Sequence, residues 1–264
     1  MPYQKKNGWI GVNDTIIVII AEDLMIADFI HNARNMKIAI YTLTRERLDY
    51  TKHCFQTLMD KAGYPHDHFI IDNGSQDGTV DWLKENEGIF KYIHYNSENL
   101  GISIASNQAL EAIGKDYDII IKFDNDCEVI SEHMLKNIVE IYTDIGLSEK
   151  YMLSPKVEGI GNIIPRFRNA LVGGHEIGFT YMVGGLFHIL PAWLYQQYRY
   201  KTFLPKAALQ DGSICYWMRS EGVHIGYIES LVVNHYETTN GQKNRYPDYF
   251  VRKEQEEKLE VKEG

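Results

Sequence analysis

From Lys37 onward, short apolar runs alternate with helix-patterned segments, and this alternation constrains the fold more than any other feature of the chain. KIAIYTL (37–43), HFIID (68–72), FKYIHY (90–95) and DIIIKF (118–123) read as strands. Between the first two lie residues 46–62, where Leu48, Phe55, Leu58, Met59 and Ala62 give a rough apolar helical face ended by Gly63-Tyr64-Pro65. A second helix is predicted from Thr79, read as its cap, to about Asn86, and a third over 102–113, closed by Gly114. Strands alternating with helices predict an α/β fold, a mostly parallel central sheet flanked by helices with right-handed crossovers. Ligands in such sheets collect at the carboxyl ends of the strands. Here those ends carry Thr42 and Thr44, then Asp72, then the turn from Asn96 to Asn99, then Asp124 and Asp126, so four successive strands deliver polar groups to one rim.

The second half is less regular. Ser131 reads as the cap of a helix to about Tyr142, and MLSPKV (152–157) as a strand. Residues 162–178 read as a Gly- and Arg-rich loop, 181–189 as a strand kinked at Gly184-Gly185, and 210–221 as a helix ended by Gly222. HIGYI (224–228) and SLVVNHY (230–236) close the core, and RKEQEEKLEVKEG (252–264) reads as a solvated helix or disordered tail. The first 36 residues look like an extension, with TIIVIIA (15–21) as a strand and 22–34 as a short helix; an edge strand, a lid and a homodimer contact all remain open for it.

With 264 residues, 44% of them hydrophobic, one α/β domain has material for a large core. The net charge of −9 gives no basic face of the kind that nucleic-acid binding needs. Three scattered cysteines, Cys54, Cys127 and Cys215, suggest neither a disulfide framework nor a zinc site. No run approaches a membrane span, and the start lacks a signal-peptide pattern, so a cytoplasmic location is expected.

The chemistry sits in Asp124-Asn125-Asp126, which follows a buried strand. Two carboxylates one residue apart form a hard-oxygen site suited to Mg²⁺ or Mn²⁺ carrying a diphosphate. Asp and Asn are also common turn residues, so the triplet depends on its context. That context is IYTLTR (40–45), IIDNGSQDGT (70–79), NLGISIASNQA (99–109), FDND (123–126), QDGSICYWMRSEG (210–222) and the late His235. In this order the motifs resemble those of the family 2 glycosyltransferases of GT-A fold, over roughly 37–236.

The resemblance implies a single GT-A domain with a donor half at about 37–130 and an acceptor half at about 131–236, leaving 1–36 as an extension and 237–264 as a charged tail. It implies that Thr42, Thr44, Arg45, Asp72, Asn99, Gly101, Asn107 and Asp124 border a nucleoside-diphosphate sugar. Asp72 resembles the aspartate that accepts from the base N–H, and an Asx-turn is its other reading. Arg45 may be read as a diphosphate neighbour or a solvated helix residue, and Asn107 as part of the donor floor or a structural hydrogen bonder. Asp124, Asp126 and His235 would hold Mn²⁺ or Mg²⁺, with a bystander role open for His235. Asp211 resembles the general base of an inverting displacement, although Gln210 stands where the family usually has Glu and Asp211 could also cap its helix. Trp193, Trp217 and the tyrosines from Tyr195 to Tyr200 suit either sugar stacking or the core. A UDP-sugar is the first guess for the donor. The acceptor (glycan, lipid-linked sugar, wall polymer, protein or modified DNA) stays open. Two rival readings are a sugar-nucleotide-forming nucleotidyltransferase, disfavoured because TLTRERLDY lacks the glycines of a phosphate loop, and a non-catalytic binding module on the same fold.

Overall fold

A computed structural model describes residues 36–159, 164–202, 210–236 and 239–263. The expected strand at 15–21 and helix at 22–34 lie outside these residues. From Lys37 onward, ten strands form one sheet in the order β3-β2-β1-β4-β9-β6-β10-β8-β7, with β5 paired to β10. The first four are β1 (Ile38–Thr44), β2 (Asp67–Asn73), β3 (Tyr92–Asn96) and β4 (Ile119–Phe123). They run parallel, joined by α1 (Leu48–Lys61), α2 (Thr79–Glu85) and α3 (Gly101–Ile113).

The second half makes the sheet mixed. It comprises β5 (Cys127–Val129), α4 (Met134–Ile145), β6 (Tyr151–Glu158), β7 (Arg168–Val172), β8 (His175–Phe179), β9 (Phe187–Pro191), α5 (Ala192–Tyr195), α6 (Gln210–Ser220), β10 (His224–His235), α7 (Thr239–Arg245) and α8 (Pro247–Glu263). β9 is antiparallel to β4, β6 antiparallel to β9, and β10 parallel to β6. These directions place three chain segments at one edge of the sheet: the end of β4, the start of β9 and the end of β10. Asp124–Asp126, Gly184-Gly185 and His235 therefore meet there, although more than 100 residues separate the first from the last.

Both faces of the inner sheet are covered, which is why its strands are apolar without alternation. Ala39 and Tyr41 face α3 and α6 in a cluster with Ala105, Leu110, Ile214 and Met218. Their neighbours Ile38 and Ile40 are equally buried on the opposite face. Tyr195 and Tyr200 belong to the core: the Tyr41 and Tyr195 hydroxyls lie 2.7 Å apart, as do those of Tyr195 and Tyr200.

Several local expectations change. Residues 168–179 form the β7–β8 hairpin rather than a loop, its alternation hidden by Asn, Gly and His. Residues 181–186 precede β9 instead of belonging to it. The runs 224–228 and 230–236 are one strand with a register shift between Ile228 and Val232. Thr79 is the first helical residue of α2. The capping group is Asp77, whose Oδ1 accepts from the Thr79 amide and hydroxyl at 3.1 and 2.6 Å, while its Oδ2 accepts from the Leu48 amide at the start of α1. Ser131 does not cap α4; its hydroxyl accepts from the Val232 amide.

Two imidazoles are walled into the sheet. His68 Nε2 lies 2.9 Å from the Thr42 hydroxyl, and the Phe55 and Phe90 rings pack on it. Burial, helped by His66, pushes its pKa down from 6.5 to about 3. An unfolded histidine takes a proton below 6.5 that His68 refuses until about 3. Its share of stability is thus complete above the unfolded value and is lost as pH falls towards the folded one. Wild type should lose about 2 kcal/mol through His68 between pH 6.5 and pH 5. His68→Phe should be weaker at pH 7, because the buried Thr42 hydroxyl loses its partner, yet decline less on acidification in urea titrations. Equal acid slopes would show that His68 is not held neutral.

Candidate active site

The candidate site is assembled from the loop after β1, the turn after β4, the start of β9, the first turn of α6 and the end of β10. At the end of β2, the Asp72 carboxylate is fully buried. Its Oδ2 accepts from the Thr44 and Ser75 hydroxyls at 2.8 and 2.6 Å, and its Oδ1 from the Ser75 amide at 2.9 Å. Both oxygens thus serve the turn. Thr42 points into the sheet towards His68. Asn99 Oδ1 accepts from Asn73 Nδ2 and from the Gly101 amide, and Gly101 opens α3 with φ 81°, a conformation that favours glycine. Asn107 brackets the Tyr200 peptide, donating to its carbonyl at 2.9 Å and accepting from its amide at 2.8 Å. Its observed role is to anchor the segment that leads from β9 to α6.

The Asp-Asn-Asp turn is held from three sides. Asn125, the middle residue, is buried; its Nδ2 donates to the Thr51 hydroxyl and its Oδ1 accepts from Arg47 Nη2. Arg47 Nη1 donates to Asp126 Oδ2 at 2.9 Å and to Gln242 Oε1 at 2.8 Å. Arg47 adopts the left-handed conformation at φ 58°, as does Glu46 at φ 53°. Arg45, the arginine expected at the site, instead lies over the Tyr249 ring at 5.6 Å. His235 Nε2 comes within 3.7 Å of the same Asp126 oxygen. Burial works against charge on Asp126, but Arg47 and His235 outweigh it and hold its pKa below the usual carboxylate value.

Asp124 behaves oppositely. Burial raises its pKa to about 6, and repulsion from Asp126 adds to the effect against the opposing pull of Lys122. Lys122 lies in β4, 4% exposed, and donates to Asp124 Oδ1 and to the Gly185 carbonyl. Burial disfavours its charge, yet Asp124 and Asp211 together raise its pKa. Asp211 sits in the first turn of α6, and its Oδ2 accepts from the Gly185 amide at 2.8 Å. His188, opposite Lys122 in the β4–β9 register, is fully buried, and burial lowers its pKa to about 4.

The structure therefore gathers Asp124, Asp126, Asp211 and His235 into one neighbourhood, while Asp72, Asn99 and Asn107 serve the turns and anchors that shape it. Four contributors escaped the sequence reading. Lys122 had a signal, a lone cation inside the apolar run IIIKF. Arg47 had a weak one, lying two residues after Arg45. Gln242 and the Glu46–Arg252 ion pair had none, because 237–264 reads only as a charged tail. That tail folds back as α7 and α8, burying Gln242 and Tyr249 and lining, with Arg47 and Arg252, a cleft of about 330 Å³ beside the start of α1.

Among the described residues, no three His, Cys, Asp or Glu groups form a ready-made metal cluster. The donor set nevertheless fits Mn²⁺ or Mg²⁺ completed by substrate oxygens: two hard carboxylates and an imidazole, with repulsion between the carboxylates still driving Asp124 upward. Removing Arg47 would leave Asp126 short of a buried partner. Arg47→Met should cost about 3–5 kcal/mol in chemical denaturation, and Arg47→Lys should recover only part of it because Lys lacks the fork that spans Asp126, Asn125 and Gln242. A loss under 1 kcal/mol in Arg47→Met would mean that the clamp does not hold the turn.

Known proteins resemble this chain in sequence over part of its length and in fold. Residues 38–152 match Glycosyl transferase family 2. The Bacillus subtilis (strain 168) teichuronic acid biosynthesis glycosyltransferase TuaG is 35% identical over 77 residues, 28% of this chain and 30% of TuaG. GalNAc-T7, solved with UDP, GalNAc and Mn²⁺, superposes with a TM-score of 0.61 at 13% identity, covering 76% of this chain and 44% of its own. For TarS of S. aureus the TM-score is 0.60 at 12% identity, covering 80% and 38%. The mannosyltransferase PcManGT from Pyrobaculum calidifontis, in complex with GDP-Man and Mn²⁺, gives 0.57 at 12%, covering 78% and 59%. The chain thus spans under a third of its curated relative and under two thirds of each of these structures. Over 38–152 the sequence matches glycosyl transferase family 2, and the fold is the GT-A fold of these structures.

Proposed function

We propose that this chain transfers a sugar from a nucleoside-diphosphate sugar to an acceptor hydroxyl by a single in-line displacement with inversion at the anomeric carbon. One observation carries the proposal: on a family 2 core, Asp211 is brought beside the Asp124–Asp126 turn from a helix some 85 residues further along the chain. A nucleotide-binding module alone would need the turn but not the third carboxylate. The donor half is 37–130 and the acceptor half runs from 131. A UDP-sugar is the first candidate donor, supported by UDP in the GalNAc-T7 structure and UDP-GlcNAc in a TarS structure. GDP-mannose, held by PcManGT, is the alternative to test beside it.

Asp211 takes the proton of the acceptor hydroxyl as its oxygen attacks. The Gly185 amide, which donates to Asp211 Oδ2, orients the carboxylate for that task. Asp124, Asp126 and His235 are the proposed ligands of Mn²⁺ or Mg²⁺, which when bound supplies positive charge to the departing diphosphate. Arg47 already neutralises Asp126, so it either shares that carboxylate with the cation or turns towards the diphosphate. No helix among the described residues is long and apolar enough to cross a membrane.

The test is a thermal-shift and turnover screen of UDP-glucose, UDP-GlcNAc, UDP-GalNAc and GDP-mannose, with Mn²⁺, Mg²⁺ or chelator, against mono- and oligosaccharide acceptors. Turnover should need the cation, and full activity in excess chelator would remove it from the reaction. Asp211→Asn, which keeps size and capping ability, should lower kcat for transfer about 10²–10⁴-fold. It should leave the affinity for UDP with Mn²⁺ nearly unchanged, because a base acts in the transition state. Wild-type transfer by a folded Asp211→Asn protein would place the base elsewhere.

A further inference from the structure

We propose that Lys122 and Gly185 form a positioning bridge that fixes the candidate base Asp211 relative to Asp124; this rests on the reading of Asp211 given above. The bridge is a continuous line of hydrogen bonds. Lys122 Nζ donates both to Asp124 Oδ1 and to the Gly185 carbonyl, and the Gly185 amide donates to Asp211 Oδ2 at 2.8 Å. One lysine and one residue's two backbone groups therefore span the donor-side and acceptor-side carboxylates. They come from β4, the start of β9 and α6, three elements joined by no short loop.

The side-chain choice at each position follows from this role. A Cβ on Gly185 would lie 2.2 and 2.6 Å from the two Asp211 oxygens, so any other residue there displaces the carboxylate. Gly185 has an ordinary φ, so glycine is required by that approach and not by the turn. Neighbouring contacts hold the 183–185 segment against α6 and β10: Cys215 Sγ donates to the Val183 carbonyl at 3.7 Å, and the Gly184 amide donates to the Tyr227 hydroxyl at 3.3 Å. Lys122 lies inside a strand with both faces covered, where a cation is costly unless fully paired, and its pairing is this bridge. His188, across the ladder from Lys122, lies against the backbone of Val183 and Gly184. Lys122 and Gly185 are therefore the groups that tie β4 and β9 to Asp211.

The test compares full-length wild type, Gly185→Ala, Lys122→Met and Asp211→Asn, with both doubles that carry Asp211→Asn. Transfer is read as nucleoside diphosphate release from UDP-GlcNAc, UDP-glucose or GDP-mannose with Mn²⁺ in the presence of acceptor. Binding is read by calorimetry with UDP and Mn²⁺. Misplacing a reacting group by about 1 Å can cost about 10²-fold, so kcat should fall roughly 10–100-fold in Gly185→Ala and in Lys122→Met. UDP affinity should hold in Gly185→Ala and weaken in Lys122→Met, which also frees Asp124. In the Asp211→Asn background neither change should lower kcat further, because the group they position is already lost. Should Lys122→Met fail to fold, Lys122→Arg, which keeps the cation but moves its donors, is judged by the same non-additivity. Wild-type kcat in Gly185→Ala, or doubles that lose the full single-mutant factor beyond Asp211→Asn, overturns the bridge. Wild-type transfer in Asp211→Asn overturns the base assignment itself.

Discussion

Three carboxylates meet at one end of this sheet, and two buried cations pair with Asp126 and Asp124 there. Asp126 has Arg47 at 2.9 Å and Asp124 has Lys122. Asp211 is reached from Lys122 through Gly185. Taking one cation away would leave a desolvated carboxylate beside a like charge, a situation that protonation relieves by raising a pKa. Asp124, driven to about 6 even with Lys122 in place, shows that the compensation is incomplete. The cluster is short of positive charge at the spot where a diphosphate and its cation would bring it.

The cost of holding Arg47 there is visible in the backbone. Glu46 and Arg47 are both left-handed, a conformation that costs an ordinary residue about 1–2 kcal/mol. Three contacts hold the pair in place. Asp77 caps α1 in place of any residue of the loop itself, Ser75 Oγ accepts from the Glu46 amide at 2.7 Å, and Arg252 pairs with Glu46. Two of these start from the DNGSQDGT turn, so that turn, which also houses Asp72, supports the loop. The third comes from α8. The C-terminal helices are thus part of the site's support, and Gln242 brings α7 to the same guanidinium.

How much was legible follows from how local each cause is. The four parallel strands were readable because runs buried on both faces need no alternation and are bounded by turn residues. The β7–β8 hairpin was not, because its strands are half exposed and carry the Asn, Gly and His that otherwise mark loops. Asp124, Asp126 and Asp211 were found through motifs, and β4, β9, β10 and α6 do bring them together. Lys122, Arg47 and Gln242 owe their importance to contacts across 63, 79 and 195 residues, which no local pattern encodes. The hydrogen bonds of Asp72 and Asn107 are turn and anchor bonds, since a buried carboxylate or amide takes whichever donors and acceptors lie nearest.

The same logic orders the two cations by how replaceable they are. Arg47 sits on a strained loop and holds Asp126 through one nitrogen, with the other on Asn125, so its grip on the turn can survive if a divalent ion takes over the carboxylate. Lys122 is fixed in a central strand and donates to Asp124 and to the Gly185 carbonyl, so its charge cannot shift without rebuilding the sheet. The Lys122 side holds Asp124 directly and Asp211 through Gly185. One end of the sheet thus joins a carboxylate clamped from a strained loop to one clamped from a central strand, a pairing that the proposed displacement would use to keep its base in place while charge gathers on the leaving group.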